Sequence, residues 1–143
     1  MNSFLLPDVN VWLAINHDAH QHHLSAIAWF NALDEYSILV FCRQTQMGLF
    51  RLLTSQAILG DETFTMKQCW KLYAEWINEG GAELWSEPGG IEVPFIRNTA
   101  TEERSPKRWN DAYLAAFAEC ARLPLVTFDK ALASKTPDSI LLQ

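Results

Sequence analysis

Residues 106–129 read Pro106-Lys107-Arg108-Trp109-Asn110-Asp111-Ala112-Tyr113-Leu114-Ala115-Ala116-Phe117-Ala118-Glu119-Cys120-Ala121-Arg122-Leu123-Pro124-Leu125-Val126-Thr127-Phe128-Asp129. Pro106–Arg122 carries the strongest helical pattern of the chain, with Ala112, Ala115, Ala116 and Ala118 as good helix formers. Pro124 then opens Leu125–Phe128, an apolar run of buried-strand length that stops at Asp129.

The same alternation extends in both directions. Ser3–Leu6 is a short apolar strand that ends at Pro7-Asp8, and Asn10–Ile15 predicts a helical turn before the histidine-rich stretch Asn16–His23. Leu24, Ile27, Ala28, Phe30 and Leu33 fall at helical spacing, and Ser37–Phe41 has strand length. Met47, Phe50, Leu53 and Ala57, joined by Leu49 and Leu52, predict a further helix closed by Gly60. Thr65–Asn78 predicts another, striped by Trp70, Tyr73, Ala74 and Ile77, capped by Thr65 and stopped by Gly80-Gly81. Prolines and glycines break up Ala82–Ile96, which reads as a strand plus loop around Glu83–Trp85 and Glu92–Phe95; Ile140–Leu142 supplies a last strand. Strands alternating with helical segments imply an α/β fold: three α/β/α layers around a central, mainly parallel sheet. Residues 1–143 are expected to form one domain, a length at which roughly 70% of the unfolded surface is buried without any staple.

Composition narrows the function classes. Apolar stretches such as Val11–Ile15 and Ile38–Cys42 fall far short of the ~20 residues that span a bilayer. Asp8 and Asn10 interrupt the apolar start, so no secretory signal is expected. Cys42, Cys69 and Cys120 are odd in number and widely spaced, which predicts free thiols and suits a reducing, cytoplasmic setting. The formal charge is −6, so any handling of nucleic acid must rely on a local basic rim or a bound cation.

In an open α/β sheet, ligands bind beyond the carboxyl ends of the strands. Two predicted strands end there in aspartate, Asp8 and Asp129, and Asp111 lies in the first turn of the long helix. A lone first-turn carboxylate can merely complement the helix dipole. Three carboxylates at one end of the sheet disfavour their shared ionisation, and such a group commonly serves to hold a cation. Oxygen-only ligands point to Mg²⁺, with Mn²⁺ as a substitute, rather than to zinc.

At these residues the sequence resembles a known family. Asp8-Val9-Asn10-Val11-Trp12-Leu13, Trp109-Asn110-Asp111-Ala112-Tyr113-Leu114-Ala115-Ala116 and Val126-Thr127-Phe128-Asp129 are similar to the motifs of PIN-domain nucleases. The match is closest to the VapC-type toxins of bacterial toxin–antitoxin pairs, and the likeness covers essentially the whole chain. The resemblance implies a Mg²⁺-dependent endoribonuclease, usually dimeric, inhibited by a cognate VapB-type antitoxin. It implies Asp8 and Asp111 as metal ligands, Asp129 as the last catalytic acid, and Asn10 and Thr127 as supporting residues. RNA phosphodiester hydrolysis by metal-activated water would follow.

One departure from the family stands out. Its members usually carry a glutamate at the start of the helix after the second strand, whereas no acid occurs here between Glu35 and Asp61. Arg43-Gln44-Thr45-Gln46-Met47-Gly48 occupies that segment, with Gln46 or Gly48 nearest the position, so Gln46 is expected in support and one metal ion rather than two.

Other residues have a structural reading beside a functional one. His17, His20, His22 and His23 have spacing that suits zinc, but no cysteine lies nearby; solvated or capping roles are preferred, with His23 packed at the start of a helix. Arg51 and Arg108 are candidate RNA contacts, Arg108 alternatively pairing with Glu102 or Glu103. Asn98–Lys107 reads as a polar loop at a substrate or antitoxin lip. Trp29, Trp70 and Trp76 are expected in the core, as are Trp12 and Trp109, although either of the last two could stack on a base. Two rival functions are a PIN-fold protein that binds RNA or an antitoxin without cleaving, and an aspartate-based phosphatase or phosphoacceptor. The latter lacks a second acid two residues after Asp8, and a dinucleotide-binding domain lacks any G-x-G-x-x-G.

Overall fold

The computed structural model describes residues 2–143. Five strands, β1 (Ser3–Pro7), β2 (Ser37–Phe41), β3 (Ala82–Leu84), β4 (Leu125–Thr127) and β5 (Ser139–Leu141), form one sheet in the order β3-β2-β1-β4-β5. Every pairing is parallel. The expected fold class is therefore observed, with a fully rather than mainly parallel sheet. The chain builds outward from β1 through β2 to β3, then crosses to the other side for β4 and β5. That reversal places the topological switch point between β1 and β4, where Leu6 pairs with Leu125 and Pro7 with Val126.

Parallel strands covered on both faces must bury successive side chains on opposite sides. Leu5, Leu39, Phe41 and Val126 enter one core, while Leu6, Val40 and Leu125 enter the other. The first core takes residues of α1 (Val9–Asn16), α2 (His23–Ala32), α3 (Arg43–Leu53) and α5 (Met66–Asn78), centred on Trp12 stacked 3.8 Å from Phe41. The second takes Leu114, Ala115, Phe117 and Ala118 of α7 (Arg108–Ala121) and Leu132 of α8 (Lys130–Ser134). The two cores make the three layers. Among the described residues, no helix is long and apolar enough to cross a membrane.

Local chemistry explains most boundaries. Thr65 and Gln68 form a reciprocal capping box, the Thr65 hydroxyl accepting from the Gln68 amide and the Gln68 side chain accepting from the Thr65 amide. Gly80 ends that segment at φ +77°, a left-handed geometry that side chains resist.

Several expectations are corrected. Glu92–Phe95 is not strand or loop but the start of α6 (Glu92–Thr99). Pro94 is tolerated because it sits in the first turn, where amides have no intrahelical acceptor. Asn98 and Thr99, read as loop, therefore close this helix. The helix expected to run to Ala57 stops at Leu53, where Thr54 turns its hydroxyl back onto the Phe50 carbonyl; α4 (Gln56–Leu59) is a separate turn. Leu24 is 83% exposed, and Ala26 is the buried residue of α2. Trp70 is 54% exposed, at the rim of an aromatic group with Phe50 and Tyr73, and Trp109 is also on the surface rather than in the core.

Candidate active site

The switch point brings Asp8 and Asp129 together. Asp8 follows β1 and caps α1, and its amide donates to the Val126 carbonyl across the β1–β4 seam at 2.9 Å. Its side chain is buried, with the residue 7% exposed. One carboxylate oxygen accepts from the Val11 amide at 2.9 Å and the other from the Thr127 hydroxyl at 2.5 Å. Burial pushes the Asp8 carboxyl up to about 6; the Thr127 and Val11 hydrogen bonds oppose the rise, and the charges of Asp111 and Asp129 add to it.

Thr127, fully buried at the end of β4, works in two directions: its hydroxyl donates to Asp8 and accepts from the Asp129 amide at 2.9 Å. Asp129 caps α8 through the Ala131 and Leu132 amides and faces the Lys107 ammonium at 3.5 Å. Burial alone would raise the Asp129 carboxyl, but the Leu132 and Ala131 amides and Lys107 outweigh it and hold the carboxyl below the usual range. Asp111 stands in the first turn of α7, with no side-chain hydrogen bond among the described residues. Burial raises it, while Lys107, Arg108 and Lys135 pull it down and Asp129 pushes it up. One end of the sheet thus holds two carboxylates whose ionisation is resisted beside a third that stays ionised.

Two adjoining cavities, of about 470 and 480 Å³, share Lys107, Asp111 and Asp129. The first continues to Asp8, Asn10, Gln44, Gly48 and Arg51; the second runs to Arg97, Arg108 and Lys135. Five of the chain's eleven lysines and arginines thus line these cavities (Arg51, Arg97, Lys107, Arg108 and Lys135). An acidic protein therefore keeps a basic rim around these cavities.

The remaining expected residues fall unevenly. Asn10 lines the cleft from an exposed position but is not a hydrogen-bond partner of Asp8, whose support comes from Val11 and Thr127. Gln46 does not face the cleft. It is buried, and its side-chain oxygen accepts from Arg43 at 2.7 Å. The helical period explains this: the cleft-facing stripe of α3 is Gln44, Gly48 and Arg51, and Gln46 lies on the other side. Gln44 was missed, though that spacing could have found it; its side-chain amide donates to the Asn110 carbonyl at 3.1 Å. At Gly48 a Cβ would stand 2.6 Å from a methyl of Val9, so a side chain there would have to displace that of Val9. Arg51 has no carboxylate within 4.0 Å among the described residues, whereas Arg108 is tied to Glu103 at 2.7 Å and to the Asn98 carbonyl.

The histidines sit elsewhere. His23 bonds the Ala14 carbonyl at 2.6 Å, in keeping with a packing role at the start of α2, and His20 accepts from the His22 amide. His17, Asp18 and Glu62 bring their ligand atoms within 4.8 Å of one another, at the opposite end of α1 from Asp8.

A parallel α/β/α sandwich with three carboxylates lining one cleft at the switch point is the arrangement expected of the PIN-domain class. No family model matches the chain. Over 131 residues it is 37% identical to Ribonuclease VapC41 of Mycobacterium tuberculosis, covering 89% of this chain and 90% of that protein. The chain belongs to the VapC ribonuclease family. Its fold is shared with VapBC2 from Rickettsia felis, solved bound to a DNA fragment from their promoter (TM-score 0.66, 9% identity, 98% of this chain and 99% of that one). It is also shared with VapC20 of M. tuberculosis, a sarcin–ricin loop cleaving toxin (TM-score 0.62, 12% identity, 92% and 94%). FitAcB from Neisseria gonorrhoeae is a third such neighbour (TM-score 0.58, 17% identity, 96% of each chain).

Proposed function

We propose that the chain is the toxin of a toxin–antitoxin pair, a Mg²⁺-dependent endoribonuclease that hydrolyses RNA phosphodiester bonds. The observation that carries this reading is the buried Asp8 carboxylate, pushed up by burial and by two further acids and facing no cation of the protein's own within salt-bridge distance among the described residues. Such a donor set fits a small hard cation, which binds carboxylates and keeps the rest of its shell for water and phosphate. Asp8 and Asp111 would hold Mg²⁺ or Mn²⁺. When bound, the ion lowers the pKa of a water and offsets the charge developing on the phosphate.

The protein's own groups do the rest. Thr127 fixes one oxygen of Asp8 and leaves its remaining lone pairs to the cleft. Asp129, held ionised, orients the attacking water by accepting its proton in a hydrogen bond. The water oxygen bonds to phosphorus and gives up a proton to solvent by way of Asp129, one P–O ester bond breaks, and the departing oxygen takes up a proton from solvent. Arg51 and Lys107 grip flanking phosphates, with Arg108 in the same wall. The absence of a side chain at Gly48 supports one metal ion rather than two.

A homodimer restrained by a VapB-type antitoxin is part of the same reading; the VapBC2 structure among the fold neighbours supports the antitoxin. The test is cleavage of RNA by antitoxin-free protein with Mg²⁺, Mn²⁺ or EDTA, beside Asp8→Asn. Metal-dependent cleavage absent from the variant supports the proposal. RNA binding without turnover would instead favour a non-cleaving relative.

A further inference from the structure

Trp109 is 58% exposed, an unusual position for the largest apolar side chain, and it stands two residues before Asp111 on α7. Phe95 of α6 meets its ring nearly perpendicularly at 6.2 Å, so the indole is oriented from behind. In front of it lies a third cavity of about 420 Å³, walled by Thr99, Thr101, Arg104, Pro106 and Arg108. This volume lies within the range of small-molecule sites. The cavity shares Asn98, Thr101, Ser105 and Arg108 with the cavity that contains Asp111 and Asp129, so the two are continuous.

We propose that this cavity is a subsite for one unpaired nucleobase of the RNA, stacked on Trp109 beside the phosphate the aspartates act on. The inference rests on the nuclease reading above. An open indole offers a π-face to any base, and the hydroxyls of Thr101 and Ser105 meet a base's polar edge, whereas that of Thr99 donates back to the Phe95 carbonyl. Arg104 has no carboxylate within 4.0 Å among the described residues and is free to meet a phosphate, while Arg108 is pinned by Glu103 and stiffens the wall. One uncompensated arginine and hydroxyls around one aromatic suit a nucleotide better than an apolar protein segment. A base inside a duplex cannot reach this surface, so the preferred substrate is a loop or single strand.

The test is fluorescence anisotropy of a labelled single-stranded oligoadenylate, and of a wholly abasic strand of the same length, in EDTA at low ionic strength. Wild type, Trp109→Ala and Trp109→Phe are compared. Trp109→Ala is expected to bind the intact strand about 10-fold more weakly, with Trp109→Phe close to wild type. The abasic strand should bind wild type and Trp109→Ala alike. Because the abasic comparison also uses wild-type protein, a folding defect in a variant cannot imitate the result. Equal binding of the intact strand by wild type and Trp109→Ala overturns the subsite and leaves the nuclease reading standing. A change of oligomeric mass in Trp109→Ala, with RNA affinity unchanged, also overturns it by making this face a protein interface. If wild type neither binds nor cleaves single-stranded RNA, the nuclease reading falls and the subsite with it.

Discussion

The Thr127 hydroxyl donates to the Asp8 carboxylate at 2.5 Å and accepts from the Asp129 amide at 2.9 Å, so one buried side chain couples two acids from opposite ends of the sequence. Both strand ends are thereby held in one arrangement, which backbone pairing alone would not impose on the side chains. Thr127→Val keeps the shape and removes both bonds. It should destabilise the protein by about 1–3 kcal/mol, since a buried carboxylate oxygen and an amide lose their partners. Metal affinity should fall by about 10-fold or more. Denaturant unfolding and calorimetric titration with Mn²⁺ check the two effects, and Thr127→Ser should restore most of both.

Asp8 ties stability to pH. Its carboxyl ionises near 3.8 in the unfolded chain and at about 6 in the folded one, so the folded state holds the proton more tightly. The associated stability is fully present below 3.8 and is lost as pH rises through 6. Asp8→Asn, which cannot ionise, should therefore be more stable than wild type at pH 7.5 in EDTA, by about 3 kcal/mol at most. The advantage should be largely gone near pH 3.5, and the stability that Asp129 loses in acid is common to both proteins and cancels in the comparison. Melting temperatures at both pH values measure this. A variant less stable than wild type at pH 7.5 would contradict the burial argument.

Adding Mg²⁺ or Mn²⁺ should reverse that order. A cation binding only the folded state raises stability by mass action, by about 2.7 kcal/mol at a hundredfold excess over its Kd. The wild-type melting temperature should climb with metal, and that of Asp8→Asn should stay level. Equal shifts in both would move the ion away from Asp8.

Gly48→Ala sets two magnitudes against each other. Alanine gains about 1 kcal/mol of helix propensity over glycine. The new Cβ meets a Val9 methyl at 2.6 Å, and overpacking of a stiff β-branched neighbour costs about 1–3 kcal/mol. The single variant should be neutral to destabilised, and Gly48→Ala should become stabilising when measured in a Val9→Ala background. Chemical unfolding of the four proteins in the cycle decides it.

Arg51→Ala and Arg108→Ala should differ. Arg51 has no carboxylate partner within 4.0 Å among the described residues, so its loss should weaken RNA binding at every sequence and lower the salt slope by about one. Arg108 is already neutralised by Glu103, and its loss should leave the salt slope nearly unchanged. Binding measured from low to moderate salt separates them.

How much of this was legible depended on where the signal lay. The acids at strand ends could be read because a short apolar run followed by aspartate is local, and the parallel fold then dictates that such ends converge. Thr127 was legible only through the family resemblance, because a hydroxyl within an apolar run does not say what it will bond. Gln46 was not, because position along α3 matters less than azimuth: two residues of shift turn a side chain from the cleft to the core. The helix at Glu92–Thr99 was hidden by Pro94, a breaker anywhere except the first turn. Trp70 and Trp109 were misread because hydrophobicity reports a preference for burial, not whether neighbours leave room for it.

The sheet order also governs when during synthesis the protein can become active. Asp8 emerges from the ribosome with the first strand, and β1, β2 and β3 can pair among themselves. The far side of β1 stays bare until β4 arrives, and only then do Thr127 and Asp129 meet Asp8. A nascent chain halted anywhere before residue 125 holds Asp8 by the Val11 amide alone, without Thr127 or Asp129. Because the closing contact spans 119 residues, the acids of the cleft come together only once β4 has been made. A cell making such a protein therefore has the whole interval of translation in which to supply whatever restrains it.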